Sequence, residues 1–467
     1  MSYKKLALSK ILQNTTLSEN KEKEQAREDF VFFCQTFLPH IFRKPFAEFQ
    51  LEIVKYLQDE NMKRVVIAAP REHGKTSLVF LGYVLWASLY AKHKYILVIA
   101  SSEEQAKEQL FNIKLEIEAN HRILEAFGDM KTSVWSSNRL QLASGTYIVA
   151  RGAGSSIRGL VKRGLRPDLI ILDDIEKDLH KESATMRKKL KEWFYRAVMG
   201  LSKDAKVFVI GTILHYDSLL NELVDKGQSL GWFAKKYKAI LPDGTLLHPY
   251  LWSVEDLEKK RQEIGSVAFA SEYMNEPMSS EDKLFKEEWI SYYEEVEIDK
   301  LDITVGVDPA TGKAGGDYSA VVVVGKDKRT GNIYTLYTFN KHSSPNQLIE
   351  TLIELYKRYK PRTIIFEEVA FQEVYKKFVL EVASKQGVHL PIKGIKPKGP
   401  KEVRAQKLSP LIENGILKFR KEHKELVQQL TEFPFSAHDD LVDALVYAVE
   451  ALEKSEAPFK FLKVRWL

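Results

Sequence analysis

The sequence is almost without cysteine. Cys34 is the one thiol in 467 residues, which excludes an intramolecular disulfide and a zinc site built on cysteine, and fits a reducing compartment. Long hydrophobic runs are also missing: the longest, such as Leu78 to Ala91, fall short of a membrane span and are broken by polar side chains. They read as buried helix or strand, and no membrane partner is expected. Met1 to Arg27 is rich in Lys, Glu and Gln and has no apolar stretch of the signal-peptide kind, so export by that route is not expected. An excess of one charge is lacking as well, since 70 basic against 64 acidic residues leave a formal net charge of +6. Averaged over a surface, that names no partner, and local clusters have to decide.

What is present describes a globular chain, with 44% hydrophobic and 29% charged residues, and its length suits two domains with a core each. From Lys63 to His215, short β-branched runs alternate with longer amphipathic ones, the pattern of helices packed on a largely parallel sheet. Arg64 to Ala69, Tyr95 to Ala100, Leu169 to Leu172 and Lys206 to Ile210 read as buried strands. Between Gly227 and Pro277 the rhythm breaks into Gly, Pro and charged residues with aromatic punctuation, which predicts a linker or small subdomain. A second α/β pattern begins at Leu301, with strands Ile303 to Val307, Ser319 to Val324, Ile333 to Phe339 and Thr363 to Phe366, and a helix over Asn346 to Arg358. Three strands before a helix predict a mixed sheet. The divisions expected are an N-terminal helical segment 1–40, an α/β domain 41–226, a linker 227–300 and a second α/β domain 301–467.

The first buried strand runs into Pro70-Arg71-Glu72-His73-Gly74-Lys75-Thr76-Ser77 and then an apolar helix. Strand, loop and helix carrying Gly-Lys-Thr at the turn aim backbone N–H groups and a helix N-terminus at phosphates. Lys75 would neutralise the β and γ groups, and the Thr76 hydroxyl would ligate Mg²⁺. The spacing is that of a P-loop with Ala69 in place of its first glycine. Leu169 to Leu172 ends in Asp173-Asp174, a buried strand delivering one acid to Mg²⁺ and another to the attacking water. Adjacent acids there repel unless a cation joins them. Asp173 is assigned to the metal, and Asp174, with Glu176 as alternative, to activating water. Together the two motifs predict an ATPase.

Gly211-Thr212 follows the next strand, where a hydroxyl can sense a γ-phosphate, although the dipeptide by itself reads as a simple turn. Arg158, Lys162, Arg163 and Arg166 form a basic segment without an acid among them. It is either a solvated loop or the source of an arginine finger, with Arg71 competing in cis. Gln50 precedes the first core strand by one helix.

The second half carries scattered carboxylates. Asp308 ends one strand, Gly315-Gly316-Asp317 precedes the next, and Glu367-Glu368 ends a later one. His438-Asp439-Asp440-Leu441-Val442-Asp443-Ala444-Leu445 opens an apolar helix. The spacing puts Asp440 and Asp443 on one face of that helix's first turn, where the dipole favours negative charge. Singly these acids read as turn or cap residues. Jointly, after core-like strands, they point to two divalent cations activating water against a phosphodiester, and an all-oxygen set suits Mg²⁺ or Mn²⁺. Glu367 and Glu368 alternate faces, and Glu367 is preferred. Between Lys393 and Lys421 nine Lys or Arg stand against two Glu. Lys396, Lys398, Lys401, Arg404 and Lys407 are the expected grip on a nucleic-acid backbone, the alternative being a solvated basic face.

Taken in order, Gln50, Arg71 to Thr76, Arg158-Gly159, Arg166-Pro167-Asp168-Leu169-Ile170-Ile171-Leu172-Asp173-Asp174, Gly211-Thr212, Asp308, Glu367 and His438 to Leu445 resemble the large terminase subunit of tailed bacteriophages, from Pro45 to Ala448. The resemblance implies a RecA-like, ASCE-type P-loop ATPase domain followed by an RNase H-like nuclease domain with a mixed sheet. It implies ATP-driven translocation of double-stranded DNA into a procapsid, and metal-dependent cutting of concatemers. By resemblance Gln50 would recognise adenine, and Arg71, Gly74, Lys75, Thr76 and Ser77 would form the phosphate loop. Asp173 would hold Mg²⁺, Arg158 would be a trans finger, Thr212 would lie in the coupling motif, and Asp308, Glu367 and Asp440 would hold metal with Asp443 supporting. ATP, Mg²⁺ at the first site and two Mg²⁺ or Mn²⁺ at the second are the cofactors implied.

The implied partners are a portal protein, a small terminase subunit and further copies of the chain. These copies would form a ring, commonly of five, when docked, and separate into monomers in solution. The implied location is the host cytoplasm, on the procapsid during packaging and not in the mature virion. The sequence departs from the pattern at Ala69, and at Asp174, where many relatives have Glu. Two rival readings are a repair-type helicase-nuclease, whose further helicase motifs are not found, and a non-catalytic ATP-regulated DNA-binding assembly protein.

Overall fold

The computed structural model describes residues 21–176, 183–278, 283–309, 319–367, 373–397, 399–436 and 438–453. Among the candidates, Lys398 lies outside the described residues, as do Asp317 and Glu368. The chain divides into two compact units, one of Met1–Lys259 with Ala268–Ser280 and the other of Lys260–Val267 with Glu281–Leu467.

The first unit is built on eight strands: β1 (Arg64–Ala68), β2 (Tyr95–Ala100), β3 (Lys131–Trp135), β4 (Arg139–Leu142), β5 (Tyr147–Gly152), β6 (Leu169–Asp173), β7 (Lys206–Gly211) and β8 (Phe233–Lys236). Their order is β3-β4-β5-β2-β6-β7-β1-β8. The strands from β5 to β8 in that order are parallel, and β3 and β4 extend the edge antiparallel. Helices cover both faces, so the central strands are apolar throughout and buried along their length, as parallel strands must be. The helix Phe30–Phe37 buries Phe30, Phe33 and Phe37 in the same core.

The expected linker 227–300 is shared between the two units. β8 pairs with β1, and Trp232 and Tyr237 beside it are buried. Part of the aromatic punctuation that suggested a linker is therefore core.

The second unit has β9 (Ser291–Tyr292), β10 (Leu301–Asp308), β11 (Ser319–Asp327), β12 (Ile333–Lys341), β13 (Thr363–Glu367), β14 (Ile392–Ile395) and β15 (Leu417–Phe419), in the order β14-β13-β10-β11-β12-β15-β9. β10, β11 and β12 are antiparallel, and β13 runs parallel to β10, so the sheet is mixed as expected. The helix Pro345–Tyr359 starts at a capping box of Ser344 and Gln347 with Pro345 in its first turn. The helix Asp440–Glu453 is apolar and buries nearly every side chain after Asp440. This is an α/β chain, with a largely parallel sheet in the first unit and a mixed sheet in the second.

Candidate functional site

β6, β7 and β1 are neighbours, so the loops leaving their C-terminal ends open side by side, where parallel sheets place ligands. After β1 the chain turns through Glu72 and Gly74 at φ +58° and +75°. A Cβ on Gly74 would stand 3.3 Å from Gln50 Nε2, so the glycine serves both the turn and the packing. Lys75 is buried, donates to Thr212 Oγ1 at 2.9 Å and pairs with Asp174 Oδ2 at 3.0 Å. Asp174 accepts the Thr212 N–H at 3.0 Å, and Thr212 Oγ1 donates onward to Ala69 O at 3.1 Å. Lys75, Asp174 and Thr212 thereby tie three strand ends together.

Asp173 is fully buried beneath them. One carboxylate oxygen, Oδ2, accepts from Gln109 Nε2 at 3.3 Å, the nearby Thr76 hydroxyl favours the charged form of the carboxylate, and Oδ1 has no partner. Burial, and then the Asp174 charge, push its pKa up to about 7, with Lys75 opposing. A bare buried carboxylate oxygen beside a hydroxyl fits Mg²⁺, the cation a phosphate loop implies. Both oxygens of Glu176 are committed elsewhere. They accept the Leu219 and Leu220 N–H groups at 2.9 and 3.1 Å and cap the helix Leu219–Lys226, which leaves Asp174 as the acid facing Lys75.

The loop's other side chains lean on chain that returns much later. Arg71 donates through its guanidinium to Glu272 Oε2 and through its backbone N–H to Glu272 O, both at 2.9 Å. Tyr273 OH donates to Glu72 Oε2 at 2.8 Å. The His73 ring stacks on Trp252 with centroids 5.8 Å apart, and its Nδ1 lies 2.7 Å from Arg71 O, so Nδ1 carries the proton. His73 Nε2 is buried without a partner, and burial lowers the ring's pKa to about 4.

In the second unit, the parallel register of β10 and β13 reaches Val307 opposite Phe366, so Asp308 and Glu367 come level at the strand ends. The helix Asp440–Glu453 lies directly on β10. Thr304 Oγ1 donates to Ala448 O at 2.7 Å, and a Cβ on Gly306 would stand 1.9 Å from Ala444 O, so only glycine fits. That contact carries the helix's first turn to the strand ends. Asp308 is pushed up to about 8 by burial and then by Asp443, Glu367 and Asp440, with Lys401 opposing. Burial also raises Asp440.

Glu367 Oε2 accepts from Tyr447 OH at 2.7 Å. Asp443 is 3% exposed; its Oδ1 meets Arg404 at 2.5 Å and its Oδ2 lies 2.7 Å from Lys401 Nζ, out of line for a hydrogen bond. Lys401 donates instead to Asp439 Oδ1 at 2.8 Å. The four expected acids therefore share one electrostatic field. Among the described residues, however, no three His, Cys, Asp or Glu side chains are drawn close enough to hold one metal ion. The donors are all carboxylate oxygen, and Asp443 Oδ2 has no donor aimed at it, which fits a hard divalent cation.

Residues 305–452 match the terminase RNase H-like domain family. Over those residues the second unit is similar to that family. Solved structures extend the likeness over both units. The large terminase of a thermophilic bacteriophage is 13% identical, covering 88% of this chain and 99% of that one with a TM-score of 0.55. Its complex with ADP gives 13%, 88%, 100% and 0.52, and its complex with ATP-gamma-S 13%, 86%, 98% and 0.51. The chain has the fold of a phage large terminase subunit. No curated protein matches the sequence.

The terminase fold brings together Gly74, Lys75, Thr76, Asp173, Asp174 and Thr212, with Gln50 beside the loop, its Oε1 accepting the Ala47 N–H at 3.0 Å. Ser77 begins π-helical turns, Ser77–Tyr83, that continue into the helix Val84–Leu89. Arg158 stands exposed, with its guanidinium 3.4 Å from Arg196 O, and Arg166 donates to Leu201 O at 2.7 Å; neither contact involves the Lys75 cluster.

Three residues of the basic run are paired with acids. Lys401 and Arg404 pair with Asp443, and Lys407 with Glu450 at 2.7 Å, because the helix Lys401–Gln406 packs beside the helix Asp440–Glu453. Lys396 is exposed on the loop after β14. Sequence reasoning missed Gln109, Glu272, Tyr273, Asp439 and Tyr447. Asp439 was visible within the acidic stretch; the others lie on ordinary amphipathic or apolar helices, which carried no signal.

Proposed function

We propose that the chain is an ATP-driven DNA-packaging motor with an attached metal-dependent endonuclease, the large subunit of a phage terminase. The observation that carries this reading is the Lys75–Asp174–Thr212 cluster over the bare Asp173 oxygen, in a chain whose residues 305–452 match the terminase RNase H-like domain family. The complexes of the thermophilic phage's large terminase with ADP and ATP-gamma-S support a nucleotide at the first site.

In that reading Lys75 turns from Asp174 to the β and γ phosphates, Thr76 and Asp173 hold Mg²⁺, and Asp174, released, orients and deprotonates the attacking water. Thr212, directly after β7 and bonded through its hydroxyl to Lys75 and to Ala69 O at the end of β1, passes the change at the phosphates to the neighbouring strand. In the second unit Asp308, Glu367, Asp440 and Asp443 would hold divalent ions, whose chemistry there would be to lower the pKa of a water and to offset charge on the leaving oxygen of a phosphodiester. The proposed ions are two, Mg²⁺ or Mn²⁺. The proposed substrate is concatemeric double-stranded DNA, with exposed Lys396 among its backbone contacts.

The wider assembly is proposed as a ring, commonly of five copies, on a portal protein in the host cytoplasm, loaded by a small terminase subunit, with Arg158 reaching a neighbour's nucleotide. The deciding experiment incubates purified protein with plasmid DNA and Mn²⁺ and compares wild type with Asp440→Ala and Lys75→Ala. Cutting by wild type and Lys75→Ala but not Asp440→Ala, with ATP turnover lost only in Lys75→Ala, is the expected result. Intact DNA with an active ATPase would replace the nuclease by an ATP-regulated assembly role.

A further inference from the structure

The acidic group of the second unit has a cation of its own. Lys401 Nζ stands 2.8 Å from Asp439 Oδ1 and 2.7 Å from Asp443 Oδ2, and its charge is felt by Asp308 and Asp440 as well. Its bond to Asp439 is aligned; its contact with Asp443 Oδ2 is not, so that buried oxygen is neutralised without being hydrogen-bonded. Arg404 holds the other oxygen of Asp443 and lies over the Tyr447 ring at 5.7 Å, while Tyr447 OH donates to Glu367. The two cations differ in kind. Arg404 is 7% exposed and locked between an acid and a ring, whereas the Lys401 side chain is 45% exposed on a flexible stem and free to swing outward.

We propose that Lys401 is a built-in counter-ion that competes with a divalent cation for Asp443, and that Arg404 is a positioning residue that keeps Asp443 in place when Lys401 leaves. The proposal rests on the metal-nuclease reading above and adds to it a reason for the site to be silent at low metal. An acid triplet of Asp439, Asp440 and Asp443 at a helix start would repel strongly without a cation. Lys401 supplies one that costs no metal, and a divalent ion displaces it by its larger charge. DNA phosphates approaching the exposed stem offer Lys401 a second anion, so substrate binding would favour the exchange. The helix Lys401–Gln406 thereby makes cutting depend on metal and DNA arriving together.

The test is Mn²⁺ binding to the full chain, followed by titration calorimetry and by water-proton relaxation, for wild type, Lys401→Met, Lys401→Arg, Arg404→Lys and Asp308→Asn. Removing one competing charge is expected to tighten the weaker Mn²⁺ site by about tenfold or more in Lys401→Met. Lys401→Arg keeps the charge and should bind as wild type or more weakly. Arg404→Lys should retain part of the wild-type affinity. The half-saturating Mn²⁺ for plasmid cutting should fall in Lys401→Met by the same factor as the binding constant. Unchanged or weaker Mn²⁺ binding in Lys401→Met, while Asp308→Asn still loses an ion, overturns the counter-ion and leaves the nuclease reading standing. Loss of cutting in Lys401→Met at unchanged Mn²⁺ affinity also overturns it, in favour of a lysine that contacts DNA. Absence of Mn²⁺ binding from wild type and every variant overturns both readings together.

Discussion

Gly306 and Ala444 meet backbone to backbone: a Cβ on the glycine would stand 1.9 Å from the alanine's carbonyl oxygen and 2.7 Å from the Ala448 N. Backbone cannot give way as a flexible side chain can, so Gly306→Ala must push the helix Asp440–Glu453 off β10. Overpacking of this kind costs about 1–3 kcal/mol or more, and here it also moves Asp440 and Asp443 from Asp308. The expected outcome is a lower denaturation midpoint for the second unit and loss of Mn²⁺-dependent cutting, with ATP turnover retained. Wild-type cutting by Gly306→Ala would show that the acids need not be held so closely.

Asp174 and Glu176 separate by what their oxygens touch. Asp174→Asn keeps the shape but removes the base, and ATP turnover should fall roughly 10²–10⁴-fold while a fluorescent ATP analogue still binds. Glu176→Gln weakens the cap of the helix Leu219–Lys226, costs about 1 kcal/mol in thermal unfolding, and leaves turnover close to wild type. Equal loss of turnover in the two variants would return Glu176 to the chemistry.

His73 gives the phosphate loop an acid limit. Its folded pKa of about 4 lies below the ordinary 6.5, so between those values the unfolded chain binds the proton and the folded one does not. Stability contributed by the neutral ring is complete above about pH 6.5 and is lost as pH falls toward 4, at no more than about 1.4 kcal/mol per pH unit. Unfolding of the first unit followed from pH 7 to 4 should show this slope, and His73→Gln should flatten it. An identical slope in the variant would assign the acid sensitivity to other groups.

Tyr447→Phe removes the donor that holds Glu367 Oε2 without opening a cavity. Groups that orient a metal's carboxylates are commonly worth about 10–100-fold, so cutting at limiting Mn²⁺ should fall by that order while ATP hydrolysis is unaffected. Full activity in the variant would show that Glu367 orients itself.

The elements that sequence made legible share one property: a buried apolar run that stops at a polar residue with a task. β2 was predicted to the residue, and β6, β10 and β13 were recognised with the acids at their ends. β3 and β4 were not, since their edge positions keep them polar, and β8 was hidden because a short strand among aromatic residues resembles a loop. A run of cations reads alike whether it faces water or an acid on another helix, so the pairing of Lys401, Arg404 and Lys407 with acids was not legible. Glu176 was equally opaque. Its distance from Asp173 in sequence suits catalysis, and only the fold shows it spent on helix N–H groups.

The phosphate loop is completed by residues translated long after it. Glu272 and Tyr273 hold Arg71 and Glu72, each pair 201 residues apart, and Asn275 accepts the Ile213 N–H and donates to Tyr237 O. A fragment cut after Lys226, or even after Lys259, would contain each residue assigned to ATP and still lack the wall that shapes their loop. During synthesis the phosphate loop must stay unfinished until residue 275 has left the ribosome, so the smallest piece that can be excised with its loop intact carries chain from the far side of the unit boundary.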